Sequence, residues 1–299
     1  MSERPPVWLD GALVPAARAT VGVHAHSLHY GTAVFDGGRF YRQDDGRVAV
    51  FRLGDHVRRL LASARALAMD LPFDAPALVA ASLATVAASD LGDGYVRQLA
   101  YYGDESLGIG ADNPPHVAIT TWSPAGPTGA PVRARIAGFG HGPGWIPTAK
   151  HAGFYGRSFL ALREARATGC DDALFLGPDG TLAEATGATL FAVLEGRLVT
   201  PPLSQPILPG LTRDTLLYLA AELGLPAREE PLARHQALAA DELFLANSAA
   251  ELRPLIALDG RPIPGPGPVT RALAARYHDL VRGRIPAPPG WLAHVGGPS

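Results

Sequence analysis

The chain has 299 residues, 47% of them hydrophobic and 18% charged, with a formal net charge of −2. That length allows one large domain or two ordinary ones around a substantial core. The near-neutral balance, with Arg scattered among acids, excludes the basic stripe of a nucleic-acid binder.

The predicted elements are short and alternate without repeats. In VWLDGALV, Asp10-Gly11 between apolar pairs signals a hairpin. GDHVRRLLASARALAM carries Val57, Leu60, Leu61, Ala64 and Leu67 at helical spacing, with Gly54-Asp55 as the expected cap. A second helix is predicted over 76–91, then strands at GYVRQLAYYG and HVAITTW. The Pro/Gly-rich SPAGPTGAP has no apolar periodicity and is the linker candidate. Beyond it a strand at RARIAGF and a helix over 154–168 are expected. DALFLGPDGTLAE, ATLFAVLEGRLVTPP with its Glu195-Gly196 hairpin, and DELFLAN then read as strands, with a helix over 211–223 among them. A last helix over 269–282 precedes a Pro/Gly-rich tail expected to be mobile. The expectation is two α+β domains, 1–122 and 133–299, joined by a linker at 123–132, with the site in the interdomain cleft.

Of 26 basic residues 25 are Arg, so Lys150 is the only lysine. An Ala-, Gly-, Pro- and Arg-rich chain replaces Lys wherever a plain cation suffices. An amine, unlike a guanidinium, can lose its proton and attack a carbonyl. If Lys150 holds a pyridoxal phosphate (PLP) aldehyde, the chain must also supply a phosphate cradle, an acid for the ring nitrogen and a donor near the phenolic oxygen. ILPGLTRDTLLYLA offers the N–H groups of Leu211 and Thr212 at a helix start. It reads equally as an ordinary capped helix. Arg59 offers a fixed charge, although an Arg on an amphipathic helix more often faces solvent. Glu184, between apolar residues at a strand end, fits the ring nitrogen, against the alternative of an exposed turn. Tyr155, five residues after Lys150, fits the phenolic oxygen or a plain core position.

Together these segments resemble the class IV, or fold-type IV, PLP-dependent aminotransferases, most closely the branched-chain amino acid aminotransferases. The resemblance runs from about Val7 to Arg282. It rests on seven segments in register: HSLHYGTAVFDGGRFY, FRLGDHVRRLLASA, GYVRQLAYYGDESLGIG, IPTAK, EATGATLF, TPPLSQPILPGLTRDTL and DELFLANSAAELRP. It implies an α+β, D-amino-acid aminotransferase-like fold of two domains, the second carrying the lysine. Lys150 would bind PLP covalently and Glu184 would meet the pyridine nitrogen. Arg59, Leu211, Thr212 and Ser248 would hold the phosphate with Asn247 adjacent, and Tyr155 would lie near the phenolic oxygen. Tyr30, Phe35, Tyr95, Arg97 and the backbone of Ala249 would line the substrate pocket. The implied reaction moves the amino group of a hydrophobic L-amino acid to 2-oxoglutarate, as in branched-chain amino acid biosynthesis, in a homodimer.

The chain departs from the family pattern at His151-Ala152-Gly153-Phe154, at Thr189 where Asn is usual, and at Asn247-Ser248. (R)-Amine or D-amino-acid transaminases and aminodeoxychorismate lyases share the scaffold and are the alternatives; a cofactor-free binding relative is disfavoured by the intact Lys150, Glu184 and Arg59. His24, His26 and His29 suggest a metal site, but no matching Cys/His or carboxylate motif accompanies them, and His24 and His26 alternate as on a strand. The single Cys170 excludes an internal disulfide and fits a reducing compartment. MSERPPVWLDG lacks a secretion-signal pattern and the uncharged run 75–89 is too short to cross a bilayer, so a cytoplasmic location is expected.

Overall fold

The computed structural model describes residues 4–124, 128–140 and 149–296. The chain forms two compact units: Met1–Ala125 with Ala149–Phe154 and Asp279–Ser299, and Gly126–Thr148 with Tyr155–His278. The first change of unit falls inside the 123–132 segment, of which 125–127 lie outside the described residues. The lysine segment groups with the first unit, not with the second domain as expected. The reason is backbone pairing: the Phe35 N–H donates to the Lys150 carbonyl at 3.0 Å, and Val34 bridges His151. Gly153 adds a bond from its N–H to the Gly31 carbonyl at 3.0 Å. Gly31 sits at φ +67, where a Cβ would fall 2.7 Å from the Gly153 Cα, so the approach requires glycine.

The first unit is a seven-stranded sheet in the order Leu292–His294, Val48–Phe51, Ala33–Arg42, Gly94–Tyr102, Pro115–Trp122, Val7–Leu9, Ala12–Val14. Every neighbouring pair is antiparallel. The Asp10-Gly11 hairpin forms as expected, with both central residues at positive φ, which matches the twist of its strands. Helices Leu53–Ala66 and Ala75–Ala88 bury Val57, Leu60, Ala64, Leu78 and Val86 with Val34, Phe40 and Val96 of the sheet.

Three local expectations need correction. Helix Leu53–Ala66 is capped by Arg52 in the left-handed conformation, not by Gly54-Asp55; Arg52 Nε donates to Asp55 Oδ2 at 2.6 Å. His26–Tyr30 is a short helix, not a strand. The described part of the tail, through residue 296, is ordered: Leu292–His294 adds to Val48–Phe51, the Trp291 carbonyl accepts from the Arg52 N–H at 2.6 Å, and the Arg52 guanidinium lies 4.4 Å from the Trp291 ring centre. Pro and Gly shape the approach of that strand without excluding it from a sheet edge.

The second unit is a nine-stranded sheet. Its path runs Ala227–Glu229, Arg197–Thr200, Thr189–Leu194, Glu242–Asn247, Glu251–Leu258, Val132–Ile136, Asp172–Leu176, Leu182–Ala185, with Arg261–Pro262 on Glu251–Leu258. The register Thr189↔Glu184 returns the path to Thr189–Leu194. Leu174, Leu182, Leu190, Val199, Leu245 and Leu255 form its core. Helix Pro268–Val281 starts on a buried carboxylate, Glu242, which accepts from the Val269 and Thr270 N–H groups at 2.9 and 2.8 Å. No helix among the described residues is long and apolar enough to cross a membrane.

The tail strand is fastened mainly through Trp291. Trp291→Ala removes a cation–π contact and an edge-on packing with Phe51, and should lower stability by roughly 1–3 kcal/mol. The measurement is the shift in urea midpoint relative to the unaltered chain.

Candidate active site

The first unit builds a charged core beneath its interior strand Ala33–Arg42. Asp36 is fully buried on Ala33–Arg42 and accepts four hydrogen bonds: from the Gly37 N–H at 2.7 Å, His56 Nδ1 at 2.7 Å, Arg59 Nε at 2.7 Å and Arg59 Nη2 at 2.9 Å. His56 and Arg59 are one turn apart on helix Leu53–Ala66, so both side chains reach the strand from one face. Burial alone would raise the Asp36 carboxyl, but the Arg59 charge and the bonds from His56 and Arg59 outweigh it and hold the group well below the usual carboxylate range. Burial pushes the His56 imidazole down, so its bond to the carboxylate is made by neutral imidazole at neutral pH.

Lys150 lies beside this core. Its Nζ is 4.8 Å from the centre of the Phe35 ring, and its backbone N–H donates to Ser63 Oγ at 3.0 Å. The Arg97 guanidinium sits among three rings, 4.8 Å from Phe35, 5.6 Å from Tyr95 and 5.2 Å from Trp122. Its Nε is buried without a hydrogen-bond partner. The Tyr95 hydroxyl donates to the Gly37 carbonyl at 2.7 Å; burial raises its pKa, with the Arg97 charge opposing. Tyr30 ends helix His26–Tyr30, is 41% exposed, and rests on His26 at 4.6 Å. The first unit therefore gathers Phe35, Arg59, Tyr95, Arg97 and Lys150 around one strand. Asp36, His56, Ser63 and Trp122 are the members that sequence reasoning missed.

The second unit supplies a helix start flanked by hydroxyls and a carboxylate. Gly210 precedes helix Leu211–Glu222, whose first N–H groups have no partner within the helix. Thr212 Oγ1 and Ser248 Oγ stand 3.3 Å apart, so two hydroxyls flank that terminus. Asn247 holds the turn itself: Nδ2 donates to the Gly187 carbonyl at 3.0 Å, and Oδ1 accepts from the Ala249 and Ala250 N–H groups at 3.0 and 2.7 Å. Glu184 is the penultimate residue of strand Leu182–Ala185, with Oε2 accepting from the Leu208 N–H at 3.1 Å. Tyr155 opens helix Tyr155–Ala167. Arg157, two residues on, was not anticipated; burial lowers its pKa and the Glu184 charge opposes that. Of the departures, Thr189 is buried, and His151 and Phe154 pack ring on ring at 5.4 Å.

Residues 33–258 match the family model for amino-transferase class IV. The chain belongs to the class IV aminotransferases. Within that class it is similar to the branched-chain-amino-acid aminotransferase of Pseudomonas aeruginosa, 37% identical with 97% of both chains covered. Among solved structures it is similar to the branched-chain aminotransferase of Thermoproteus uzoniensis with norvaline, at TM-score 0.93 and 37% identity over 98% of this chain and 99% of that one. The enzyme of Thermobaculum terrenum in its PLP form gives TM-score 0.93 at 33% identity over 99% and 100%. The cofactor is PLP. Each unit holds donors of the kind this cofactor needs: the first a single lysine and a half-buried Arg59 oriented by Asp36, the second a helix start flanked by two hydroxyls and a carboxylate near a strand end.

Asp36→Asn keeps the shape of the carboxylate and removes its charge, freeing the Arg59 guanidinium to turn. PLP affinity of the apoprotein should fall about 10- to 100-fold, read by spectrophotometric titration. The same core makes the protein acid-sensitive. Both Asp36 and His56 are held below their ordinary values of 3.8 and 6.5, so each favours the folded state only when deprotonated. Stability should be fullest above pH 6.5, decline as pH falls through the His56 range, and decline further below 3.8; Asp36→Asn should flatten that lower limb in chemical denaturation at stepped pH.

Proposed function

We propose that the chain transfers the amino group of a branched-chain L-amino acid to 2-oxoglutarate, with Lys150 as the PLP lysine and the catalytic base. The observation that carries the reading is the sole lysine set beside Phe35, on the same strand system as an Arg97 ringed by Phe35, Tyr95 and Trp122. When bound, PLP supplies an electron-accepting ring that stabilises negative charge at the substrate Cα. Lys150 Nζ would take the Cα proton and deliver it to the carbon of the former cofactor aldehyde, across the intervening nitrogen; Arg cannot do this, because it stays protonated. Glu184 keeps the ring nitrogen protonated. Arg59, the N–H groups of Leu211 and Thr212, and the Thr212 and Ser248 hydroxyls hold the phosphate. Asn247 acts by shaping the turn that presents Ser248 and Ala249, and Tyr155 serves the phenolic oxygen.

One pocket must accept both an apolar side chain and the second carboxylate of glutamate. Tyr30 and Phe35 supply the apolar wall. Arg97 supplies the charge, and its unpartnered buried Nε supports that role. The aromatic rings exclude water and hold the guanidinium without neutralising it, so the same surface remains compatible with leucine. We also place the protein in the cytoplasm as a homodimer; the exposed Val21, Val23, Leu28, Leu107 and Ile109 of the first unit support a second copy as partner.

Lys150→Arg should abolish turnover, and borohydride reduction followed by peptide mapping should fix the cofactor on residue 150 of the unaltered chain. A label elsewhere overturns the assignment. Arg97→Leu should lower kcat/KM for glutamate and 2-oxoglutarate on the order of a hundredfold while largely sparing leucine and its keto acid. Single-turnover bleaching of the cofactor band with L-leucine, D-alanine, (R)-1-phenylethylamine and aminodeoxychorismate checks the substrate class; an inert L-leucine beside a fast D-alanine or amine overturns it.

A further inference from the structure

One hydroxyl fastens the lysine segment to the helix that carries Arg59. Ser63 Oγ accepts the Lys150 backbone N–H at 3.0 Å and donates to the Arg59 carbonyl, one turn back, at 2.9 Å. Ser63 is 1% exposed. The donor and one lone pair of the hydroxyl are thereby both used. Buried serines and threonines that bond back to the preceding turn occur elsewhere in this unit, at Ser82 and Thr85. Ser63 differs in what it receives: a main-chain N–H from 87 residues away, on the residue with the reactive amine.

The following peptide is also held, since the Lys150 carbonyl accepts from the Phe35 N–H at 3.0 Å. A lysine amine hangs on a flexible four-carbon stem, so its reach is set by where its backbone is held. A fixed backbone confines that reach, and a misplacement of about 1 Å at a reacting atom costs on the order of a hundredfold in rate. Arg59, the phosphate-site charge, lies on the same helix four residues before Ser63.

We propose that Ser63 is a positioning residue: its hydroxyl sets the Lys150 backbone against helix Leu53–Ala66 and so fixes the distance between the amine and the phosphate anchor. The proposal rests on Lys150 being the PLP lysine. It separates two tasks that share one helix, with Arg59 holding the cofactor and Ser63 holding the base.

The test is Ser63→Ala with Ser63→Thr as the conservative variant, because Thr keeps a hydroxyl able to bond back to the Arg59 carbonyl. In Ser63→Ala apoprotein, deuterium exchange of the Lys150 amide should accelerate at least about tenfold, because the bond protecting it is gone. In the holoenzyme kcat should fall about 10- to 100-fold, while KM for leucine and PLP affinity stay within about twofold. Ser63→Thr should restore most of both readouts. Unchanged amide exchange or unchanged kcat in Ser63→Ala overturns the proposal. So does a loss carried by PLP affinity and KM, or a loss that Thr does not rescue. Borohydride mapping on the unaltered protein runs alongside: a label away from residue 150 overturns the parent assignment and this proposal together, whereas a label at 150 with an indifferent Ser63→Ala overturns the proposal alone.

Discussion

The first unit depends on a buried negative charge. Asp36 lies where a hydrophobic residue would ordinarily sit, on an interior strand of an antiparallel sheet, and its desolvation is tolerable only because four donors surround it. That constraint dictates the neighbourhood. Arg59 must lie flat against the carboxylate with two of its nitrogens engaged, and His56, kept neutral by burial at neutral pH, must turn its one N–H toward the same group. The helix that carries both is therefore locked in rotation and height. Its next turn then presents Ser63 toward the lysine segment. A single carboxylate so fixes the orientation of a cation, and the helix that carries it meets the Lys150 backbone through Ser63.

The same unit balances charge with aromatic surface. Arg97 has rings on three sides, which lowers the cost of keeping a guanidinium out of water without supplying a counter-ion. Asp36 and Arg97 thus represent opposite solutions on neighbouring strands: a charge surrounded by hydrogen-bond donors, and a charge set among aromatic rings.

Much of this was legible in the sequence where local chemistry decides the outcome. Both hairpins at Asp10-Gly11 and Glu195-Gly196 formed, since residues able to take positive φ leave the chain few alternatives. The helices were visible from apolar spacing, and the class from motifs in order. Strand Ala33–Arg42 was hidden, because Asp36, Gly37 and Gly38 break the alternation that marks a strand, and only tertiary partners make them acceptable there. Asp36 and His56 were hidden for a related reason: they are 20 residues apart and pair only after strand and helix pack. The tail strand was masked by its Pro and Gly, and its anchor, Trp291, finds Arg52 far away in sequence. The Arg52 cap was misread because a left-handed arginine at a helix start has no sequence signal.

The way the first unit is threaded has a consequence for synthesis on the ribosome. Its sheet is not complete after residue 125; the lysine segment joins from 149–154 and the edge strand from 292–294, after nearly all of the second unit has been made. At roughly 5–20 residues per second, the interval between residues 125 and 294 lasts on the order of ten to thirty seconds. Throughout it, Val48–Phe51 has an open edge, the feature that invites pairing with other nascent chains. The late arrival of Trp291 onto Arg52 closes that edge, so the last segment of the sheet to be translated is also its protection against misassembly.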